Sequence, residues 1–313
     1  MARQAAAAWL AGLALLAPTA DAWTICVGNG SHYSDFTDSQ CMDDRPRSLQ
    51  SALSGALVGD TVLVMPDTYG LAAPGVTLQD ITDTDGNLIH TVAVDDAARD
   101  IRLSFLGKNM VLRSVSGPTT TRIACGLIDD SYGFIFASGE STDSVLEGFT
   151  IEGCGRLSDS QGGGVRVDGH EQAAQGVTIR NTLLLNNKAL QGGAISIISA
   201  TVVLDRVLCR GNEAANHGGA ISATVSVPKF THLDMTDCLL DQNTAGDSGG
   251  GLYSYLNRYG CSFAMRNTAI VRNTASRLGG GLYDRGSRTD IVMRRTTIVD
   301  NHVTQLISDE IQR

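Results

Sequence analysis

Beyond Met1–Ala22 the chain has no apolar run long enough to cross a bilayer, which argues against a membrane span. Positive charge is also scarce: 24 Lys and Arg stand against 33 Asp and Glu, net −9. That balance argues against any general affinity for nucleic acid or anionic lipid. There are 7 cysteines, but none stands in a Cys-x-x-Cys or Cys-x-x-His spacing, so zinc is not expected. No heptad and no collagen-like triplet is visible, and an apolar content of 42% is too high for a disordered chain. What the chain does have, across 313 residues, is 35 glycines and enough length for a sizeable core.

Residues 1–22 read as a signal peptide. Arg3 is followed by an apolar stretch from Ala5 to Leu16, and Ala20-Asp21-Ala22 fits the small-x-small rule for cleavage before Trp23. The mature protein is therefore expected outside the cytoplasm, secreted or at the cell surface, where cysteines become disulfide partners. Because the cysteine count of 7 is odd, at least one is left unpaired within the chain. Cys26 with Cys41 is the preferred pair, closing a short loop where the core is thin. Cys125 and Cys154 remain open as a pair, because their register cannot be fixed.

The glycines mark a repeat. Two glycines, a small residue and an apolar one recur at Gly162-Gly163-Gly164-Val165, Gly192-Gly193-Ala194-Ile195, Gly218-Gly219-Ala220-Ile221, Gly249-Gly250-Gly251-Leu252 and Gly279-Gly280-Gly281-Leu282. A second column is Asn187, Asn212, Asn243, Asn273 and Asn301, each preceded three residues earlier by Leu184, Cys209, Leu240, Ile270 or Ile298. Alternating pairs complete the unit: Val177/Ile179, Val202/Leu204, Leu233/Met235, Phe263/Met265 and Ile291/Met293. Three columns share one period.

Each unit holds short alternating runs rich in Val, Ile and Thr between Gly and Asn turns, with no helical periodicity. A unit with one apolar face must stack on its neighbours, which sets strands side by side in parallel. Parallel crossovers are almost always right-handed. The expected fold is all-β, a right-handed parallel β-helix over 61–313, with a polar excursion near 71–99 that turns at Asp85-Gly86. Residues 23–60 contain the amphipathic Ser48-Leu49-Gln50-Ser51-Ala52-Leu53, suited to an N-terminal capping helix. Stacked asparagine amides can hydrogen-bond along the coil, and asparagine tolerates a left-handed turn, so that column reads as structural. The glycine pairs read as corners.

Ser48 to Leu53, followed by Gly59-Asp60-Thr61-Val62-Leu63-Val64 and Thr68-Tyr69, resembles the entry of the pectin-lyase-like β-helix superfamily, with Asp67 where that pattern carries glycine. The Gly-Gly-Ala-Ile and apolar-x-x-Asn columns resemble the repeats of polymorphic outer-membrane proteins. The resemblance implies the β-helix fold and, for enzymes of the superfamily, carboxylates for calcium beside an Arg or Lys base on one outer sheet. The hydrolase motifs of the superfamily are missing here. Asp43-Asp44, Asp95-Asp96 and Asp129-Asp130 are the only paired aspartates, and His170 lacks the trailing glycine. Asp129-Asp130 is the one calcium candidate beside a coil, against the plainer reading as solvated turn acids. Asp83-Thr84-Asp85-Gly86-Asn87 fails as a calcium loop, because Ile81 and Val92 would fall at ligand positions.

Function must then sit on the outside. If Val165, Ile195, Ile221, Leu252 and Leu282 turn inward, their successors Arg166, Ser196, Ser222, Tyr253 and Tyr283 point out. Two positions on come Asp168, Ile198, Thr224, Tyr255 and Arg285. Tyr253, Tyr255, Tyr283 and Arg285, with Arg258 and Tyr259 nearby and Arg166 further along, suit stacking and hydrogen bonding to a sugar chain. Tyrosine also favours exposed strand positions in its own right. Residues 1–150 carry net −10 and residues 151–313 net +1, which leaves the repeat half as the contact surface for an anionic polymer. His217 reads as a lone turn histidine. Cys238 falls two positions earlier in its coil than Cys209, about 8 Å away and beyond bridging distance, so both are expected as buried thiols.

These observations favour a non-catalytic module that binds an extracellular polysaccharide or cell-surface component, without cofactor or metal. The rival is a lyase or epimerase on uronic-acid polymers, for which calcium enters as a cofactor. A structural wall or adhesion component assembling edge to edge is the third reading.

Overall fold

In a computed structural model, the structure describes residues 24–28, 49–70, 77–82, 88–94, 103–125, 132–158, 161–169, 175–225, 230–255, 261–286 and 289–305. They form a parallel β-solenoid of about six turns with one short helix, Leu49–Gly55. Three parallel sheets of 15, 7 and 5 strands run along it, and a separate antiparallel pair joins Thr77–Thr82 to Leu88–Val94. That pair sits within the expected excursion; its turn at Asp85-Gly86 lies outside the described residues.

In the largest sheet each strand pairs with its counterpart one coil away. One register line threads Val62, Leu112, Leu146, Ile179, Leu204, Met235 and Met265. Every one of these side chains is buried. Each contributes about 1.5–3 kcal/mol of burial, and because the line is continuous no single coil holds its apolar face alone. The helix lays Leu49, Ala52 and Leu53 on the start of this core. Lys108 Nζ closes its C-terminus by donating to the carbonyls of Leu53, Ser54 and Ala56 at 2.5, 3.0 and 2.8 Å. Partial burial lowers the pKa of that ammonium, and Asp60 pulls it back.

The asparagine column is a continuous ladder. The Nδ2 groups of Asn187, Asn212, Asn243 and Asn273 donate to Oδ1 of the next asparagine at 3.0, 2.9, 2.9 and 3.0 Å. Each Nδ2 also donates to a carbonyl one coil back, for example Asn243 to Cys209 at 3.0 Å. Each Oδ1 takes a second bond from the backbone N–H of the preceding asparagine. The left-handed residue is not the ladder asparagine, as the sequence reading has it, but its predecessor: Asn186, Gly211, Gln242, Arg272 and Asp300 have φ of 53–66°. The turn is spent one residue early, so the amide itself points inward along the axis.

At the glycine corner the two residues do different jobs. Gly218 has φ +68°, and a Cβ on Gly219 would collide with the Gly250 carbonyl.

Cys125 and Cys154 form a disulfide with a Cα separation of 4.8 Å, which closes the pairing the sequence leaves open. Cys209 and Cys238 are buried free thiols, as expected; Cys209 lies opposite Leu240, two positions beyond Cys238. Burial pushes the Cys238 thiol up to about 12 and the Cys209 thiol well above its ordinary range. Cys26 is buried and disulfide-bonded, while Cys41 lies outside the described residues.

Candidate binding site on the second sheet

The second sheet stacks Leu103–Ser104, Phe134–Phe136, Val165–Asp168, Ile195–Ile198, Ile221–Thr224, Leu252–Tyr255 and Leu282–Asp284. Its register places Arg166, Ser196, Ser222, Tyr253 and Tyr283 in one line and Val165, Ile195, Ile221, Leu252 and Leu282 in the adjacent one. The first four of the apolar line are fully buried. The alternation expected from sequence is therefore the alternation of the sheet.

Pointing outward does not leave these residues open. Tyr253 is only 3% exposed, and Ser196 and Ser222 are buried as well. The cover on Tyr253 is aromatic: the His217 imidazole stacks on it at 4.3 Å with the planes 9° apart, and Tyr283 stacks at 6.0 Å and 27°. His217 comes from the neighbouring corner, in the line Gln161, Gln191, His217, Ser248 and Leu278. It lies 36 residues before Tyr253, one coil back, so neither its own strand nor the outer line reveals the contact.

Arg285 ties the cluster together. Its guanidinium carbon lies 5.2 Å from the centre of the Tyr255 ring, and its charge also acts on the Tyr253 phenol. Burial pushes the Tyr253 phenol above its ordinary value, against the pull of the Arg285 side chain. Burial also pushes His217 below the ordinary imidazole value; Asp247 opposes the shift, while Arg285 and Arg277 reinforce it. The stack runs His217, Tyr253, Tyr283, with the Tyr253 phenol in the middle and the Arg285 guanidinium at its edge. Arg285 is exposed, and Tyr255 and Tyr283 are partly so.

Of the residues singled out from sequence, Tyr253, Tyr255, Tyr283 and Arg285 come together. Arg166 does not: it stands three strands along the same line, about 14 Å from Tyr253, in an ion pair with Asp168 at 2.6 Å. Arg258, Tyr259 and Asp129-Asp130 lie outside the described residues. Three buried polar atoms on or beside this face, Arg166 Nε, Ser222 Oγ and His217 Nδ1, have no hydrogen-bond partner among the described residues.

The largest sheet carries its arginines differently. Arg113 pairs with Glu147 at 3.0 Å, Arg122 with Glu152 at 3.0 Å and Arg266 with Asp234 at 3.1 Å. Buried Asp241 is held between Arg210 at 2.8 Å and Arg272 at 2.7 Å. These are cross-coil charge pairs that help fix register. Among the described residues no group of three or more His, Cys, Asp or Glu is placed to hold a metal ion. No family model, curated protein or solved structure matches the chain.

Proposed function

We propose that this is an exported, rigid β-helix that binds an extended extracellular polysaccharide on its second sheet without cleaving it. The observation that carries the reading is the Tyr255–Tyr283–Arg285 cluster seated on buried Tyr253, an aromatic platform with a guanidinium at its rim. Sugar rings present apolar faces to aromatic rings and hydroxyls or carboxylates to a guanidinium. A site mounted on stacked strands and locked by a buried stack loses little freedom on binding. The same proposal includes a right-handed coil, a signal peptide over 1–22, the helix Leu49–Gly55 acting as the cap of the coil, and membership of the pectin-lyase-like superfamily with repeats like those of polymorphic outer-membrane proteins.

One observation favours a second reading. His217, Tyr253, Arg285 and Asp247 gather acid–base side chains at one corner, the kind of grouping proton abstraction from a uronate requires. One experiment separates the two. Purified mature protein is incubated with a panel of uronic-acid polysaccharides, with and without calcium, while retention on the polymer and release of unsaturated or reducing ends are followed. Retention without new ends is the expected result. New ends make the protein an enzyme; no retention on any polymer removes the polysaccharide reading.

A further inference from the structure

The last described coil leaves its core side open. Met293 continues the buried line of Met235 and Met265 yet is 42% exposed, and Ile298, two coils on from buried Leu240, is 41% exposed. Among the described residues the strand Thr289–Arg294 is the last of its sheet, paired on one side only. Its Arg294 carbonyl accepts from Asn267 N–H on the paired side. Backbone groups alternate along a parallel ladder, so the N–H and C=O of Ile291 and Met293 face the open side.

We propose that this edge joins a second copy of the chain in a two-fold antiparallel pair centred on Val292. Three features select that register. Hydrogen bonding demands that Ile291 and Met293, whose backbone groups face out, lie opposite each other. Pairing odd positions with odd keeps inward side chains inward, setting Met293 of one copy against Ile291 of the other and extending the core line across the axis. On the outer face the same register sets Asp290 of each copy opposite Arg294 of the other, so each edge carries its own complement. Arg294 stands beside Arg266, whose guanidinium already bonds Asp234 at 3.1 Å, so an incoming carboxylate relieves a like-charge neighbour. Shifting the register by two residues either way loses both charge pairs within the strand. The other end carries the helix Leu49–Gly55 on its first strands, so this edge is the one that offers itself.

The test is the mass of the full chain by sedimentation equilibrium across a wide concentration range. Wild type should form a dimer. Asp290→Arg and Arg294→Asp should each weaken it at least tenfold, because like charges then face across the axis, and the double variant should restore it. Val292→Cys should give a covalent dimer under mild oxidation, since residues on the axis approach within disulfide reach. A monomer at every concentration, whether because residues 306–313 cover the coil or because nothing does, overturns the proposal. So does a dimer that both single variants leave unchanged, or one the double variant fails to restore. The three side chains, Asp290, Val292 and Arg294, are on the surface, and circular dichroism of each variant confirms that the coil is retained.

Discussion

Two columns run along the later coils, and they obey different rules. The inner one is the same residue five times: Asn187, Asn212, Asn243, Asn273 and Asn301, each amide bonded to the next. The outer one holds three residue types over its five positions, from Arg166 through Ser196 and Ser222 to Tyr253 and Tyr283. Uniformity follows from physics. A buried amide has four hydrogen bonds to make; backbone groups that recur in every coil supply part of them, and the side chain presented at the same place in the next coil is another asparagine. Outside the coil no such demand acts, so what varies there is free to serve a ligand.

The sharpest way to break the comparison is to remove one inner amide. Asn243→Ala leaves buried donors and acceptors orphaned on both neighbouring coils and should cost about 3–5 kcal/mol in denaturant unfolding. Asn301→Ala, at the half-buried end of the ladder, should cost about 1 kcal/mol by the same measurement. Equal costs would mean that the ladder is not what holds these coils in register.

A second test uses pH. The folded protein holds His217 below its unfolded value near 6.5. In that situation the unfolded chain takes up the proton first as pH falls. Stability is therefore intact above about pH 6.5 and declines below it. Melting temperatures of wild type should drop between about pH 6.5 and 5, and His217→Phe should lessen that drop while keeping the stack on Tyr253. An unchanged pH profile in the variant would show that the imidazole does not titrate with folding.

The smallest effect belongs to the outer column. Ser222 is as buried as any ladder asparagine, but its hydroxyl has no hydrogen-bond partner among the described residues. Ser222→Ala should therefore change stability by no more than about 0.5 kcal/mol, tenfold or so below Asn243→Ala. A large loss would show that this hydroxyl belongs to the scaffold after all.

Period and alternation are local properties, and they were legible. The glycine and asparagine columns, the apolar lines and the outward line of tyrosines can all be read from spacing, because each coil repeats the same steps. Contacts between unlike positions on successive coils were not. His217 meets Tyr253 only because a corner residue of one coil leans over the strand of the next, and the residues flanking His217 carry no trace of that. The left-handed corner was misplaced by one residue for a similar reason: Asn186 and Asn187 are adjacent asparagines, and only the ladder shows which one turns and which one bonds. Cys125 and Cys154 pair because they stand one position out of step across coils. Cys209 and Cys238 stand two positions out of step and stay apart. The first coils lack the Gly-Gly column that would have fixed their register.

The most direct test of the outer surface as the binding face is polysaccharide affinity of a Tyr255→Ala/Tyr283→Ala/Arg285→Ala variant set beside Ser222→Ala. Both should keep the wild-type circular dichroism. With the polymer that wild type retains best, the triple variant should lose at least tenfold in affinity while Ser222→Ala binds as wild type does. Undiminished binding by a folded triple variant would contradict the account and place the ligand on another face of the coil.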